Sequence, residues 1–175
     1  APVVRLIQPN AAQHEKWDPT LVPFFLERQL TFTSATSEAG KRPDLIVWPE
    51  TAVPWTLDRA GPVIEQISKA AEGTPVVIGI QRNENFLIFN SLVLINATGN
   101  IGAIYDKHHL VPFGEYIPYG DFFARFGLHS FAAQGGNVFS AGPGPRLIEL
   151  PRIGAALPLI CYEAVFPQDV RAAPA

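Results

Sequence analysis

The sequence predicts an α/β fold in which helices cover a largely buried, mixed sheet. Two short stretches, Leu45–Trp48 and Val76–Ile80, are wholly apolar, as expected for strands that are covered on both faces. Strands and helices alternate through the first half of the chain, a pattern typical of α/β proteins. Two later strands then follow each other through a short turn, so the sheet is expected to be mixed.

The first half of the chain alternates between strands and helices. Asp18 is expected to cap a first helix, with Pro19 at its first position, because apolar residues recur at helical spacing to about Thr36. A second helix is expected at Gly61–Glu72, with Gly73 ending it. The strands predicted around these helices are Val3–Gln8, Leu45–Trp48 and Val76–Gln81.

The second half predicts hairpins and one long irregular segment. Turn residues at Asn83–Asn85 and Asn96–Asn100 separate strands. Residues 107–145 are rich in glycine, proline and aromatics, with at most one short helix, near Asp121–Phe126. A stretch of that length in a compact domain is usually functional. The predicted strands are Phe86–Ile95, Ile101–Asp106 and, paired around Pro151 and Arg152, Arg146–Leu150 and Ile153–Leu159.

The composition describes one folded domain of 175 residues, with 47% hydrophobic and 17% charged residues. The net charge of −3 gives nucleic-acid binding no electrostatic support. One cysteine excludes an internal disulfide and any metal site built from several cysteines. No apolar run reaches the roughly 20 residues that span a bilayer, and no signal peptide is visible. Because the chain begins at Ala1 and has no methionine, we expect it to be a piece of a longer protein.

Three reactive side chains, Glu50, Lys107 and Cys161, each follow an apolar stretch that predicts a buried strand. Strand ends in α/β proteins are where sites form. A thiol nucleophile needs a base or a positive field, and an ammonium can stabilise the negative charge that develops on a carbonyl oxygen. The three residues therefore predict a catalytic site that needs no histidine.

Each of these residues alone has a plain structural explanation. Free cysteine is often core filler, and for Cys161 alone this explanation is as good as catalysis. Glu50 alone is more simply a solvated strand end, and Lys107 alone is more simply an exposed lysine. Their shared position after apolar strands is what favours a joint site.

Longer segments around these residues resemble the carbon–nitrogen hydrolase (nitrilase) superfamily. The segments are Trp48–Ala52, Asp106–Pro118 and Ile160–Glu163. Within that superfamily, the segment Lys107–Tyr116, Lys-His-His-Leu-Val-Pro-Phe-Gly-Glu-Tyr, is similar to the apolipoprotein N-acyltransferases of bacterial membranes. Lys16–Pro19 and Phe89–Ser91 resemble the same family, and the resemblance runs from about Val3 to Pro167.

The resemblance implies a role for each matching residue. Glu50 matches the general base, Lys107 the oxyanion lysine and Cys161 the nucleophile. Glu115 matches a glutamate that orients the lysine, and an ammonium in a dry site needs such a paired charge. The residues expected to support the site or bind substrate are Tyr162, Glu163, Trp17, Tyr116, Phe126, Leu128 and Phe131.

The resemblance also implies a fold and an activity. The expected fold is a nitrilase-like α-β-β-α sandwich with mixed sheets, truncated after the nucleophile strand. Residues 1–175 would form the N-terminal two-thirds of one catalytic domain, without the transmembrane region of the family. The family enzyme moves a fatty acyl chain from phospholipid, through a cysteine thioester, to the N-terminal amine of an apolipoprotein's diacylglyceryl-cysteine.

Further expectations follow for surroundings and partners. The partners would be a phospholipid donor, an apolipoprotein acceptor and the membrane, with no cofactor, no metal and no nucleic acid. The protein is expected to be a monomer at the bacterial inner membrane, with its catalytic domain facing the periplasm. The loop Lys107–Gly144 is expected to gate access from the bilayer through Phe126, Leu128 and Phe131. Packing of these side chains on the core is the alternative.

Other functions stay open at this stage. A soluble nitrilase or amidase acting on a small substrate would share Glu50, Lys107 and Cys161. A cysteine protease pairing Cys161 with His108 or His109 is less favoured, because the thiol is expected to end a strand rather than open a helix. Metal binding by His108, His109 and His129 fits no zinc spacing. An inactive, lipid-binding fragment is the remaining alternative.

Overall fold

A five-stranded sheet forms the centre of the computed structural model, which describes residues 1–12, 14–36, 40–116 and 139–172. The sheet contains β1 (Val4–Leu6), β2 (Leu45–Val47), β3 (Val76–Glu84), β4 (Leu87–Ile95) and β5 (Ile101–Asp106). The strands lie side by side in chain order. The first three are parallel, whereas β4 and β5 are each antiparallel to the preceding strand. The predicted α/β class and mixed sheet are confirmed.

Two helices, α1 (Val22–Ser34) and α2 (Gly61–Ala71), cover one face of this sheet. The main core forms between the helices and the sheet, because alternate residues of the central strands point toward α2. Its fully buried members include Ile46, Ile67, Ile78, Ile80 and Val93. The second helix ends as predicted, with Glu72 and Gly73 both at positive φ.

The first helix begins at Val22, so the predicted start at Asp18 and Pro19 is wrong. The Asp18 carboxylate accepts hydrogen bonds from the Thr20 amide at 2.8 Å and the Thr20 hydroxyl at 2.7 Å. These bonds close a local turn, which competes with helix formation. Pro23 therefore occupies the first helical turn.

The turn between β3 and β4 also differs from the prediction. The strand β3 continues through Glu84, and the turn is formed by Asn85 and Phe86, with φ of 48° and 66°. Two consecutive positive φ values are typical of the tight hairpin turns that match strand twist. The turn at Asn96–Asn100 is confirmed, since the Asn96 side chain accepts from the amides of Thr98 and Asn100.

A small hairpin covers the opposite face of the sheet. Its strands are β6 (Ile148–Leu150) and β7 (Gly154–Ala156), which pair antiparallel as predicted. Leu150 and Ile153 from this hairpin pack against Leu45, Val77 and Leu94 of the main sheet. The described residues thus supply a helical layer and two sheet layers. The short helix predicted near Asp121–Phe126 lies outside them.

The chain after β7 corrects the prediction for Cys161. The strand ends at Ala156, five residues earlier than Cys161, because Pro158 cannot donate a backbone hydrogen bond to a neighbouring strand. Cys161 instead begins a 3-10 helix, Cys161–Val165, which is followed by α3 (Pro167–Ala172). No helix among the described residues is both long and apolar enough to cross a membrane.

Gly79 on β3 should be intolerant of any side chain. A β-carbon there would lie 2.5 Å from the Pro49 carbonyl oxygen, 2.5 Å from the Thr51 nitrogen and 2.6 Å from the Glu50 α-carbon. Because backbone would have to move, we expect Gly79→Ala to lower the free energy of unfolding by about 1–3 kcal/mol. Urea denaturation measures this change.

Gly61→Ala is the matched control, since a β-carbon at Gly61 meets nothing within 4 Å. Its free energy of unfolding should stay within about 1 kcal/mol of wild type. Wild-type stability in Gly79→Ala would contradict the close packing beneath Glu50.

Candidate active site

The backbone of Glu50 rests directly on β3. The Trp48 amide donates to the Val77 carbonyl at 2.8 Å, and the Ala52 amide donates to the Gly79 carbonyl at 2.9 Å. Between these two anchors the chain leaves the sheet, and Thr51 takes a left-handed φ of 45°. This bend turns Glu50 out of the line of β2, with its side chain 33% exposed.

Two backbone hydrogen bonds hold Lys107 at the end of β5, one through its amide and one through its carbonyl. Its amide donates to the Asn90 carbonyl at 2.9 Å, and its carbonyl accepts from the Gly142 amide at 2.8 Å. Its side chain is only 1% exposed. The sequence position predicts an exposed lysine as the simplest case, so the burial is a strong departure from the usual behaviour of this residue type.

Two carboxylates contact the Lys107 ammonium, and one amide contacts both carboxylates. Lys107 Nζ lies 2.9 Å from Glu115 Oε1 and 3.5 Å from Glu50 Oε1. Asn90 Nδ2 donates to Glu50 Oε1 at 2.6 Å and lies 3.4 Å from Glu115 Oε1. The Val111 amide donates to Glu115 Oε2 at 2.8 Å, so both oxygens of Glu115 are partnered. These contacts orient Glu50 and Glu115 around one positive charge.

Burial and charge act on the pKa of Lys107 in opposite directions. Desolvation alone would lower this pKa. The hydrogen bond with Glu115 and the electrostatic interactions with Glu50, Glu115 and Cys161 outweigh desolvation and hold the pKa above its ordinary value of 10.5. Lys107 is therefore an ammonium at neutral pH, the form that can stabilise an oxyanion.

Cys161 lies in the same cavity as Glu50. Residues of β2, β3 and β4 form the walls, and the segment before Cys161 closes one side. The lining residues include Trp48, Gly79, Asn90, Ser91, Leu159 and Ile160. Cys161 is exposed and has a φ of 51°, which is unfavourable for a residue with a side chain. Backbone strain of this kind costs about 1–3 kcal/mol and persists only where neighbouring contacts enforce it.

Glu163 supplies such contacts from beneath the Cys161 turn. Its side chain is fully buried, and Oε2 accepts from the Ile160 amide at 2.8 Å. Oε1 accepts from the His108 amide at 2.8 Å and from the Tyr105 hydroxyl at 2.9 Å. Burial, together with the Glu163 carboxylate, raises the pKa of Tyr105, so its hydroxyl stays a donor. Tyr162, which directly precedes Glu163, is 36% exposed.

Two histidines and one aspartate form a second polar group beside Glu163. Asp169 Oδ2 lies 2.7 Å from His109 Nδ1 and 3.1 Å from His108 Nε2. These three ligand-type atoms lie within 4.8 Å of one another and are of the kind that zinc accepts. Hydrogen bonding among them accounts for the arrangement, and the absence of a metal stays a prediction. His129, the third member of the sequence-level metal alternative, lies outside the described residues.

The geometry also bears on the protease alternative. Cys161 does begin a short helix, so the argument that it ends a strand is wrong. The rings of His108 and His109 instead contact carboxylates: Asp169 holds both, and Glu163 Oε1 lies 2.5 Å from His108 Nδ1. Rings held in this way are oriented by acids rather than by the thiol.

Trp17 lies in a different cavity from Cys161. It is 46% exposed and lines that cavity together with Lys16 and Gln29. The neighbouring Lys16 ammonium donates to the Glu50 carbonyl at 2.8 Å, and desolvation lowers the pKa of Lys16. The loop that carries Trp17 is thus attached to the backbone of the candidate base, and its role toward substrate stays a prediction.

The remaining predicted substrate contacts are mostly untested. Tyr116 is partly buried, and its carbonyl accepts from the Phe113 amide at 2.7 Å. Phe126, Leu128 and Phe131 lie outside the described residues, as does most of the predicted gate at Lys107–Gly144.

Asn90 and Gly79 are site residues to which the sequence assigned no role. Asn90 is 2% exposed and stands beside Ser91 within the mostly apolar strand β4, so a buried amide in that strand was the available signal. Gly79 interrupts the apolar strand β3, and glycine in a strand marks close approach of another backbone. No local pattern indicated the contact between His108 and Asp169, which are 61 positions apart.

Comparisons with known proteins agree on the family. The carbon–nitrogen hydrolase family model matches residues 7–175. The apolipoprotein N-acyltransferases of Allorhizobium ampelinum and Sinorhizobium fredii are each 38% identical over 95% of this chain and 33% of their own length. That of Brucella suis is 37% identical over 95% of this chain. The chain therefore spans about a third of the length of these curated relatives.

Solved structures agree on the fold. The NitN amidase from Neterenkonia matches with a TM-score of 0.64 at 20% identity, over 99% of this chain and 62% of that one. A carbon–nitrogen hydrolase from Helicobacter pylori matches with a TM-score of 0.59 at 17% identity, over 98% of this chain and 55% of that one. At these identities the likeness concerns the fold, and it supports the predicted nitrilase-like architecture.

Glu115→Gln should reduce the loss of stability at high pH. A raised pKa in the folded state means that the stabilisation is complete below the unfolded value of 10.5 and is lost as the pH rises through the folded value. Removing the Glu115 charge lowers the folded pKa of Lys107, so less stability remains to be lost. We expect lower stability at neutral pH and a smaller alkaline decline, measured by urea denaturation across alkaline pH.

Glu65→Gln is the control, because Glu65 pairs with Lys69 at 2.8 Å on an exposed helical surface. Its alkaline profile should follow wild type. An unchanged alkaline decline in Glu115→Gln would show that Glu115 does not determine the protonation of Lys107.

Proposed function

The chain belongs to the carbon–nitrogen hydrolase family, and we propose that it carries the catalytic residues of an apolipoprotein N-acyltransferase. In this proposal a fatty acyl chain passes from phospholipid to Cys161 as a thioester. It then passes to the N-terminal amine of an apolipoprotein's diacylglyceryl-cysteine. Because the chain spans about a third of its curated relatives, the proposal concerns the complete enzyme in which these residues act.

The observation that supports the proposal is that Glu50 borders both Cys161, across one cavity, and the buried ammonium of Lys107. Glu50 and Cys161 both line it, and the Lys107 ammonium lies 3.5 Å from Glu50 Oε1. A carboxylate, a cation and a thiol are the groups that acyl transfer through a thioester needs. The choice of lipid substrates is supported by the 38% identity to apolipoprotein N-acyltransferases over 95% of the chain.

The first half-reaction forms the thioester. Glu50 accepts the thiol proton while the sulfur of Cys161 attacks the ester carbonyl of the phospholipid. The Lys107 ammonium stabilises the oxyanion of the tetrahedral intermediate, which then collapses. The carbon–oxygen ester bond breaks, and Glu50 returns the proton to the alkoxide of the departing lysophospholipid.

The second half-reaction regenerates the thiol. The neutral amine of the acceptor attacks the thioester carbonyl, and Lys107 again stabilises the oxyanion. The carbon–sulfur bond breaks as the amide forms, and Glu50 transfers a proton from the amine nitrogen to the departing thiolate. Glu115 and Asn90 take no proton in this scheme, since their contacts hold Lys107 and Glu50 in place.

The proposal extends to location. Both substrates are lipids, so the complete enzyme would act at the bacterial inner membrane with this domain facing the periplasm. Exposing a fatty acyl chain to water as it leaves the bilayer costs about 0.8 kcal/mol of free energy for each CH₂ group. An apolar path to Cys161 is therefore required. The predicted contacts Phe126, Leu128 and Phe131 would provide it.

Formation of the thioester on Cys161 tests this function directly. With full-length protein and phospholipid carrying a labelled acyl chain, we expect an adduct of one acyl group, seen by intact-protein mass spectrometry. Cys161→Ser should lose the thioester, recognised by its lability to neutral hydroxylamine. Glu50→Gln should also prevent it, because an amide cannot accept the thiol proton. Glu65→Gln, an exposed change, should leave it intact.

Lys107→Ala should lower the rate of thioester formation by about 10²–10³, the usual loss when an oxyanion partner is removed. Single-turnover measurement at saturating phospholipid gives this rate. Near-wild-type rates in this variant would contradict the assigned role of Lys107. Hydrolysis of a small amide or nitrile, without acylation from phospholipid, would instead favour the soluble amidase alternative. No adduct and no hydrolysis would favour the inactive lipid-binding alternative.

A further inference from the structure

His108 lies between two buried carboxylates that belong to different segments of the chain. Its Nδ1 is 2.5 Å from Glu163 Oε1, and its Nε2 is 3.1 Å from Asp169 Oδ2. The three side chains are 9%, 0% and 7% exposed, respectively. His108 Nδ1 also lies 2.8 Å from the Tyr105 hydroxyl, which itself donates to Glu163 Oε1 at 2.9 Å. The ring therefore contacts both carboxylates and the tyrosine that binds one of them.

This bridge joins the two segments that carry the candidate lysine and cysteine. His108 follows Lys107 in the chain, and Glu163 lies two residues after Cys161. Asp169 adds α3 as a third element, and His109 reinforces it with a 2.7 Å bond from Nδ1. Through His108, the end of β5 is thus tied to the 3-10 helix that Cys161 begins and to α3.

The Cys161 turn has particular need of such support. Cys161 holds a positive φ of 51°, and the amide before it, from Ile160, donates to Glu163 at 2.8 Å. If Glu163 moves, the turn loses the contact that enforces its shape. Displacements near 1 Å in an active site can lower a rate by about 10²-fold even when the altered residue lies away from the chemistry.

We propose that His108 is a positioning residue that holds the Cys161 turn in register with Lys107 by bridging Glu163 and Asp169. This inference rests on the proposed acyl transfer for its functional consequence, and on the contacts of His108 alone for its geometry. A metal ion on His108, His109 and Asp169 would be a different link between the same segments. The hydrogen-bond distances of 2.7 and 3.1 Å favour the bridge, because they leave these atoms already paired with one another.

The experiment compares His108→Ala, Asp169→Asn and the double variant in full-length protein. His14→Ala is the matched control, since the His14 side chain is 83% exposed. One readout is the rate of thioester formation across phospholipid concentrations. The other is the rate at which iodoacetamide alkylates Cys161, which needs no lipid. Asp169→Asn keeps the side-chain size, so it tests the bridge even if His108→Ala does not fold.

We expect each single variant to lower the maximal rate of thioester formation by about 10²-fold, with the half-saturating lipid concentration nearly unchanged. Alkylation should slow by about tenfold, because the Lys107 ammonium favours the reactive thiolate of Cys161. Displacement of the Cys161 turn would weaken that effect. The double variant should be no slower than His108→Ala, since both changes break one bridge. His14→Ala should match wild type.

Three results would overturn the bridge. The first is a wild-type rate of thioester formation in Asp169→Asn, and the second is a double variant whose loss of rate is the full sum of the two single losses. The third is a change in the half-saturating lipid concentration with no change in the maximal rate. Slowing of wild type by a chelator, to the level of the variants, would assign the link to a metal and also overturn it. If wild type forms no thioester while the variants still slow alkylation together, the acyl-transfer proposal fails and the bridge stands.

Discussion

The buried positive charge of Lys107 is the constraint on which the rest of the site depends. Removing an ammonium from water costs several kcal/mol even after the protein relaxes. Lys107 is 1% exposed, so compensating groups must be supplied by the fold, and Glu115 and Glu50 supply them at 2.9 and 3.5 Å. The same contacts that keep the ammonium charged place a carboxylate beside it, and this pairing brings the candidate base and the oxyanion partner together.

The architecture serves this pairing through close backbone packing. Gly79 lets the chain around Glu50 lie directly on β3, and Gly142 lets the segment after residue 138 lie against the Asp106 carbonyl, where a β-carbon would stand only 2.2 Å away. Asn90, central in β4, bonds both carboxylates from beneath. Gly79 and Gly142 at the backbone contacts, together with the Asn90 amide, therefore fix the distances between the groups around Lys107. These groups come from several segments, so no single strand could fix the distances alone.

Sequence patterns predicted the sheet and singled out the three reactive residues, but they did not predict the contacts that these residues make. Apolar runs mark β2, β3 and β5, so strand ends with Glu50 and Lys107 could be predicted from local composition. The start of α1 could not, because the turn at Asp18 competes with its helix cap. Nor could the conformation of Cys161: its apolar approach suggests a strand, whereas Glu163 and Pro158 produce a turn. Long-range contacts such as His108 with Asp169 leave no periodic signal.

The protonation of Lys107 in the folded protein is the most direct test of this account. Heteronuclear NMR on protein labelled with ¹⁵N-lysine, assigned with Lys107→Arg, observes the Nζ group itself. We expect the Nζ chemical shift of an ammonium for Lys107 at neutral pH, and we expect it to persist to a pH above the ordinary lysine pKa of 10.5. A neutral amine at neutral pH, or titration below that ordinary value, would contradict the claim that Glu50 and Glu115 stabilise a charged Lys107.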